Sequence, residues 1–474
     1  MEKLTKIIAT IGPACDSEKK IASLIDKGVN VFRFNFKHNT IEWHSDRIKR
    51  VNAVSNKLGV SIGTLIDLAG PQIRITMPYD SLALKVGDKL SFGAEIYKKK
   101  GVKGFSITHP EIIDHLKDGQ ILLADDGMFE FQVVKKENKV YLNSQTKGVL
   151  LNNKSLNIPG AQIPLSSLID RDLEGLKLAE KHEVDFIALS FVRSSSDIRT
   201  LRNEINTLGI KAQIVSKIET QKSLDNIDSI INAADGIMVA RGDLGIEIPI
   251  EQVPFYQKMI IRKCLIAGKF VITATQMLQS MIGNPIPTRA EVSDIANAIY
   301  DHTDAIMLSG ETASGKYPGK AVDVMRKTSL FYEPKPEKDI RSYIQYSARD
   351  TSAMICDTAY NLYRRYVVAK QPIGGFIVFT QTGNTARLLS RYRPQVPIFA
   401  FTPSQEICES LTINFGVTSY CFEFDNTMQA DMKEVKRAVR FLHAKTHHTQ
   451  NSKLIVVHGD RWGGGQGATT IRIL

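Results

Sequence analysis

The chain predicts a closed (β/α)8 TIM barrel, interrupted by a small all-β insert and followed by a separate C-terminal α/β region. Three observations carry that expectation. One pattern recurs along the sequence: an apolar, β-branched run, a polar residue at its end, then a segment of helical periodicity. The runs TKIIATIG, VNVFRFNF, SIGTLIDL, DFIALSFV, AQIVSKIE, GIMVARGD, FVITATQM and DAIMLSGE make about eight such strands, the number that closes a parallel barrel. Nearly all of them finish in polar groups: Arg33 and Asn35, Asp67, Arg193, Lys217 and Glu219, Arg241 and Asp243, Thr273 and Thr275, Ser309 and Glu311. A barrel gathers its chemistry at the carboxyl ends of its strands, and solvation alone does not explain so many strands ending this way.

The connecting segments fit. DSEKKIASLIDKG, TIEWHSDRIKRVNAVSNKLG and IPTRAEVSDIANAIYDH are amphipathic helices following or preceding strands. The barrel is expected from residues 1–74 and 164–334. Residues 75–163 change to short alternating strands with the turn signals KVGDKL, ADDGMFEF and KKENKV, which reads as a small β-barrel insert. It leaves the barrel at the polar rim, where it can close as a lid. After the linker Pro334-Lys335-Pro336, residues 335–474 hold the strand GGFIVFT, the loop QTGNT, the helix ARLLSRYR and the strand VPIFAFT. A glycine-containing loop entering a helix can receive an anion; an ordinary strand-to-helix turn fits the same residues.

At 474 residues the chain needs two or three domains, and 43% hydrophobic with 23% charged residues is ordinary globular composition. A net charge of +11 suits anionic substrates or nucleic acid. The basic residues are spread out, with Lys98-Lys99-Lys100 the only dense run, so no nucleic-acid partner is expected. Cys15, Cys264, Cys356, Cys408 and Cys421 form no CxxC pair, and buried thiols are the expectation. The His447-His448 pair reads as loop rather than metal site. No apolar run reaches the roughly 18 residues of a membrane span, and MEKLTK has no secretory core behind it. A cytoplasmic protein without membrane contact is expected.

On strands, residues two apart share a face, which aligns Lys217 with Glu219 and Arg241 with Asp243. If those strands are neighbours, two carboxylates meet across about 4.8 Å and repel unless a cation lies between. Mg²⁺, or Mn²⁺, fits that position and leaves coordination sites for an anionic substrate. Two ordinary strand-end salt bridges fit one such pair as well; the recurrence of polar strand ends favours a site.

The residues then match a family. TIGPA at Thr10–Ala14, NVFRFNF at Asn30–Phe36, GPQIR at Gly70–Arg74, KIE at Lys217–Glu219, MVARGDLGIE at Met238–Glu247, PTRAEVSDIANA at Pro287–Ala298 and MLSGETASGKYP at Met307–Pro318 resemble pyruvate kinases over essentially the whole chain. The resemblance implies glycolytic phosphoryl transfer from phosphoenolpyruvate to ADP, giving pyruvate and ATP, with Mg²⁺ on Glu219 and Asp243. It implies that Lys217 and Arg33 meet the transferring phosphoryl group. The backbone of Ala240, Arg241, Gly242 and Asp243, with Thr275, would take the substrate carboxylate. A relay through Thr275, Ser309 and water would protonate the enolate. Pro13, Asn35, His38, Arg74 and Lys154 match nucleotide-side positions, and Asn35, Asp67 and Leu68, with the residue at position 37, match the K⁺ site. His38 as a helix cap remains an alternative, and Thr273 and Glu311 are expected to be supporting hydrogen-bonding groups.

One departure matters. Lys37 stands where K⁺-dependent members of the family carry serine, and Gln72 where they carry glutamate. An added ammonium and a missing carboxylate both weaken a site for a monovalent ion. Lys37 is expected to replace K⁺; a solvent-facing Lys37 with K⁺ bound is the other reading. Thr380, Thr382, Gly383, Asn384 and Thr385 are similar to the loop that binds an effector's phosphate in regulated members, a sugar phosphate or nucleotide, and RWGGGQGATT resembles the loop closing over it. Homotetramers are usual in the family. Competing readings are a lyase using Lys217 as a Schiff-base amine, which Glu219 opposes by keeping it protonated, and a salt-sensitive nucleic-acid binder.

Overall fold

The computed structural model describes residues 3–98, 101–136, 139–160, 165–335, 344, 350–424, 432–446, 452–461 and 467–474. Pro336, the His447-His448 pair and Trp462–Gln466 of the terminal segment lie outside the described residues.

Eight parallel strands close the barrel: β1 Lys6–Thr10, β2 Val31–Asn35, β3 Gly63–Asp67, β4 Phe186–Leu189, β5 Gln213–Ile218, β6 Gly236–Ala240, β7 Phe270–Ala274 and β8 Ala305–Leu308. Each pairs with its sequence neighbour, and β8 pairs with β1 to seal the cylinder. The period-2 pattern divides the strands. Ile8, Val31, Leu65, Phe186, Val215, Met238, Ile272 and Met307 fill the inside, while Ile7, Ala9, Phe32, Ile66 and Ile214 join the layer under the helices. The helices begin where the sequence supplies caps: Ser17 accepts from Lys20 N, Thr40 from Trp43 N, and Thr288 with Glu291 forms a capping box. Thr40 therefore does the capping that His38 offered as an alternative.

The expected insert is present between β3 and β4. A seven-stranded and a two-stranded sheet enclose their own apolar core, around Phe105, Phe131, Leu122 and Leu142. Strand Phe129–Lys136 alternates buried and half-buried residues until its charged end. The C-terminal region has a five-stranded sheet in the order Val417–Cys421, Ile398–Thr402, Ile373–Phe379, Lys453–His458, Thr470–Ile473, the last antiparallel. The order reverses between Ile373–Phe379 and Lys453–His458, so the loop after Phe379 sits at a switch point, where open α/β sheets receive ligands.

That region also stops the amino-terminal mouth of the barrel. Ile413 packs among the inward-facing strand residues. Buried Asp304, preceding β8, pairs with Arg393 at 2.6 Å and accepts the Phe415 amide at 3.0 Å. Arg393 also donates to the His302 carbonyl at 2.9 Å, which gives His302 a structural place. Lys6 Nζ reaches the Val417 carbonyl at 2.6 Å.

Buried Asp185, at the start of β4, accepts from Thr64 N and Oγ1 at 2.7 and 2.9 Å. Burial, and next the Glu409 carboxylate, push its carboxyl up to about 8. A folded-state pKa above the unfolded one means the folded chain binds the extra proton between about pH 4 and 8, so this group's contribution is present at low pH and lost as pH rises through that window. Asp185→Asn should flatten the fall in stability between pH 5 and 8, gaining about 1–2 kcal/mol at pH 8, as read from thermal melts at both values.

Candidate active site

At the carboxyl rim, β2, β3 and β5 deliver one buried charge cluster. Arg33, near the end of β2, donates through Nε to Asp67 Oδ2 at 2.7 Å and through Nη1 to Thr10 Oγ1 at 2.9 Å. Asp67 ends β3 and also faces Lys217 Nζ at 3.2 Å. Lys217, on β5, lies 2.8 Å from Glu219 Oε1 and donates to Ser190 Oγ at 2.8 Å. Ser190 in turn donates to the Leu68 carbonyl at 2.8 Å. Asp67 and Glu219 are each only 1% exposed, so water does not screen these charges.

The titrations follow from that enclosure. Burial opposes the charge on Asp67, but Lys217 and Arg33 outweigh it and hold the carboxyl down at about 2. Burial likewise opposes the Lys217 ammonium; Asp67, Glu219 and Asp243 reverse that and raise its pKa. An amine so held is a fixed cation and a poor Schiff-base nucleophile. Glu219 is pushed up, by burial first, with Asp243 adding to the rise and Lys217 opposing it. Its Oε2 accepts the Phe191 amide at 2.6 Å, while Oε1 has no aligned hydrogen-bond donor.

A buried carboxylate oxygen that meets the Lys217 ammonium at 2.8 Å without an aligned hydrogen bond keeps acceptor capacity for a further cation. Asp243, whose charge acts on Glu219, has no hydrogen-bond or ion-pair partner among the described residues. No group of three or more His, Cys, Asp and Glu placed to hold a metal ion by itself occurs among the described residues. A metal here would take two carboxylates and keep open positions for water or phosphate oxygens, as Mg²⁺ prefers.

The expectation for Arg241 needs correction. Strand β6 stops at Ala240 and Arg241–Glu247 is helical, so Arg241 and Asp243 do not share a strand face. The Arg241 guanidinium turns toward β7, donating to the Ala274 and Thr275 carbonyls at 3.2 and 2.7 Å and pairing with Asp294 at 2.6 Å. It braces Thr275 rather than offering charge to a phosphate. Thr275 has φ +62, rare for a β-branched residue, and its Oγ1 accepts the Gly242 amide at 2.7 Å. Strain held by several bonds is common where a site is pre-formed. Glu311 is fully buried and accepts from Leu278 N and Ser309 N at 3.1 and 2.7 Å, and Thr273 bonds Thr303 at 3.0 Å; both are supporting groups.

Other expected residues lie at the edges. His38 is exposed and Pro13 faces solvent; burial, then Arg33, Arg74, Lys37 and Arg171, lower the His38 pKa. Arg74 bonds the Asn153 carbonyl at 2.8 Å and Gln72 at 2.6 Å, and Lys154 pairs with Asp125 at 2.7 Å. Asn35 Oδ1 accepts the Lys37 amide at 3.2 Å. Arg193 pairs with Asp197 at 2.9 Å, so this part of the chain gives the cluster the Ser190 hydroxyl and the Phe191 amide. A cavity of about 570 Å³ between insert and rim is lined by Asn157, Phe191, Arg193, Lys222, Asp243 and Glu247 among others. Thr10, Ser190 and Phe191 escaped the sequence reading. Ser190 and Phe191 follow an apolar strand with no charge to mark them; Thr10 lies inside the TIGPA run.

Lys217→Met would leave Asp67 and Glu219 buried without the ammonium between them. Stability at pH 8 should fall by about 3 kcal/mol. Part should return at pH 5, because a carboxyl raised further above its unfolded value binds its proton in the folded state. Denaturant midpoints at both pH values measure this.

Comparison with known proteins supplies the family. A profile described as "Pyruvate kinase, barrel domain" matches residues 2–322 and one described as "Pyruvate kinase, alpha/beta domain" matches residues 364–474. A pyruvate kinase of Bacillus licheniformis is 43% identical over 426 residues, covering 87% of this chain and 71% of the relative. One from Staphylococcus epidermidis is 39% identical over 482 residues, covering 98% and 79%. A crystal structure of a pyruvate kinase from Cryptosporidium parvum superposes with TM-score 0.91 at 33% identity, covering 100% of this chain and 96% of that one. With matched profiles over both regions and relatives aligned over most of their length, the chain belongs to the pyruvate kinase family of phosphotransferases.

Proposed function

We propose that this rim transfers the phosphoryl group of phosphoenolpyruvate to ADP, yielding pyruvate and ATP as a glycolytic step, with Mg²⁺ or Mn²⁺ held by Glu219 and Asp243. The observation that carries the reading is the buried Lys217 ammonium, flanked by Glu219 at 2.8 Å and Asp67 at 3.2 Å, beside the Arg33 guanidinium. When bound, the divalent ion supplies charge neutralisation at phosphate oxygens.

Phosphoryl transfer needs positioning and electrostatics more than covalent help. Lys217 faces the oxygens whose charge grows as the bridging P–O bond loosens, and Arg33 holds the same group. The amides from Ala240 through Arg241, Gly242 and Asp243, at the start of a short helix, receive the substrate carboxylate, together with Thr275. The enolate left after transfer takes a proton at carbon through Thr275 and Ser309 with water, a relay because neither hydroxyl is acidic alone. Pro13, Asn35, His38, Arg74 and Lys154 border the ADP side, the last from the insert, which closes over the reactants. Residues 1–74 with 164–334 act as the catalytic barrel, 75–163 as lid and 335–474 as effector region.

Lys37 stands in for K⁺ at the site bordered by Asn35, Asp67 and Leu68; its Nζ lies 5.0 Å from the Phe191 ring centroid, which supports an inward orientation. The switch-point location of Thr380, Thr382, Gly383, Asn384 and Thr385 supports a phosphate-bearing effector there, a sugar phosphate or nucleotide. Thr380 Oγ1 accepts the Gly383 amide at 3.0 Å, and Gly383 has φ +79, where glycine is favoured. A cytoplasmic homotetramer completes the proposal; among the described residues no helix is long and apolar enough to cross a membrane.

Pyruvate formation from phosphoenolpyruvate and ADP, coupled to a dehydrogenase, tests the central reading. Activity should require a divalent ion, and Lys217→Ala should lower kcat by about 10³-fold. Unchanged turnover in that variant would remove Lys217 from the chemistry, and trapping of the lysine by borohydride with substrate would favour a lyase. In tetramethylammonium buffer with Mg²⁺, added K⁺ should change the rate by less than about twofold; large activation by K⁺ would overturn the role given to Lys37.

A further inference from the structure

The loop carrying Lys37 is fixed from outside the rim. Arg171 donates to the carbonyls of Phe36, His38 and Asn39, and His44 Nε2 lies 2.9 Å from the His38 carbonyl. The backbone is thereby set, but the side chain is not. Among the described residues no hydrogen bond or ion pair reaches Lys37 Nζ, and its assigned contact is the face of Phe191, 5.0 Å from the centroid. An ammonium within about 6 Å of an aromatic centroid is drawn to the negative face of the ring.

Phe191 is itself held in an unusual state. Its φ is +55, the left-handed region that bulky residues rarely enter. The bond from its amide to Glu219 at 2.6 Å keeps it there. Space for it comes from Gly70, where an added Cβ would lie 2.9 Å from Ser190 Cβ and 3.0 Å from Phe191 Cδ2. One residue thus grips an acid beyond β5 with its amide and a cation beyond β2 with its ring. Burial is the largest single influence on Asp67 and on Glu219, and Lys37 is among the positive charges that oppose it at each.

We propose that Phe191 is a positioning residue whose ring face holds the Lys37 ammonium over the acidic floor of the active site, making a fixed charge out of a flexible side chain. This rests on the reading of Lys37 as the substitute for K⁺. A lysine stem has several rotatable bonds; without a platform its ammonium would spend time in solvent, and a free monovalent ion would regain an advantage.

The test replaces Phe191 with mono-, di- and trifluorophenylalanine, which drain electron density from the ring while keeping its shape. The full-length protein is assayed for pyruvate formation in tetramethylammonium buffer with Mg²⁺, with and without K⁺. The KM for phosphoenolpyruvate without K⁺ should climb stepwise with fluorine number, to about fivefold, and K⁺ should restore it. Phe191→Tyr should behave as the native chain and Phe191→Leu should show the largest response. A flat series overturns the proposal, and it decides the matter even if Phe191→Leu fails to fold. Lys37→Ser separates the two readings. If it becomes K⁺-dependent while the series is flat, only the ring's role falls. If it matches a native chain that already needs K⁺, the reading of Lys37 falls with it.

Discussion

The structure turns on two cations and two carboxylates buried together at the rim of the barrel. Arg33, Asp67, Lys217 and Glu219 come from the ends of β2, β3 and β5, and the successive parallel pairing of β2 through β5 brings them together. Sequestering such charges from water is costly unless each finds its opposite, so the cluster constrains the fold that builds it. β2, β3 and β5 must end at matched heights, Ser190 must supply a hydroxyl from between them, and the Thr10 hydroxyl must meet the arginine. What remains unmatched is informative: the carboxylate of Asp243 has no donor among the described residues, which leaves acceptor capacity beside Glu219 where a divalent cation is proposed.

Much of this was legible in the sequence because each strand announces itself twice, by an apolar β-branched run and by the polar residue that ends it. Lys217, Glu219, Arg33 and Asp67 were found that way, as charges in places that otherwise demand apolar side chains. Arg241 misled for the same reason. Its run reads as strand to the end, whereas the backbone turns helical after Ala240 and swings the guanidinium behind Thr275. Ser190 and Phe191 were missed because their roles depend on backbone direction rather than residue type. A serine and a phenylalanine after an apolar run carry no visible charge, and the positive φ of Phe191 leaves no trace in composition.

The insert and the C-terminal region attach to opposite ends of the cylinder. At the carboxyl end the insert has its own core and meets the rim across a cavity. At the other end the contacts are buried and charged: Asp304 with Arg393, and Lys6 on the Val417 carbonyl. Strand β8 runs between these two settings, with Asp304 just before it and Ser309 just after it.

Ile413 gives that arrangement an unexpected consequence. A side chain of the third region completes the innermost apolar layer of the first, so the C-terminal portion works as a stopper as well as an appendage. Trimming the gene to its catalytic half would uncork the cylinder and flood its greasiest layer. A minimal version of this enzyme would have to carry a substitute plug, and shuffling its terminal region between relatives would succeed only where the incoming piece brings one that fits.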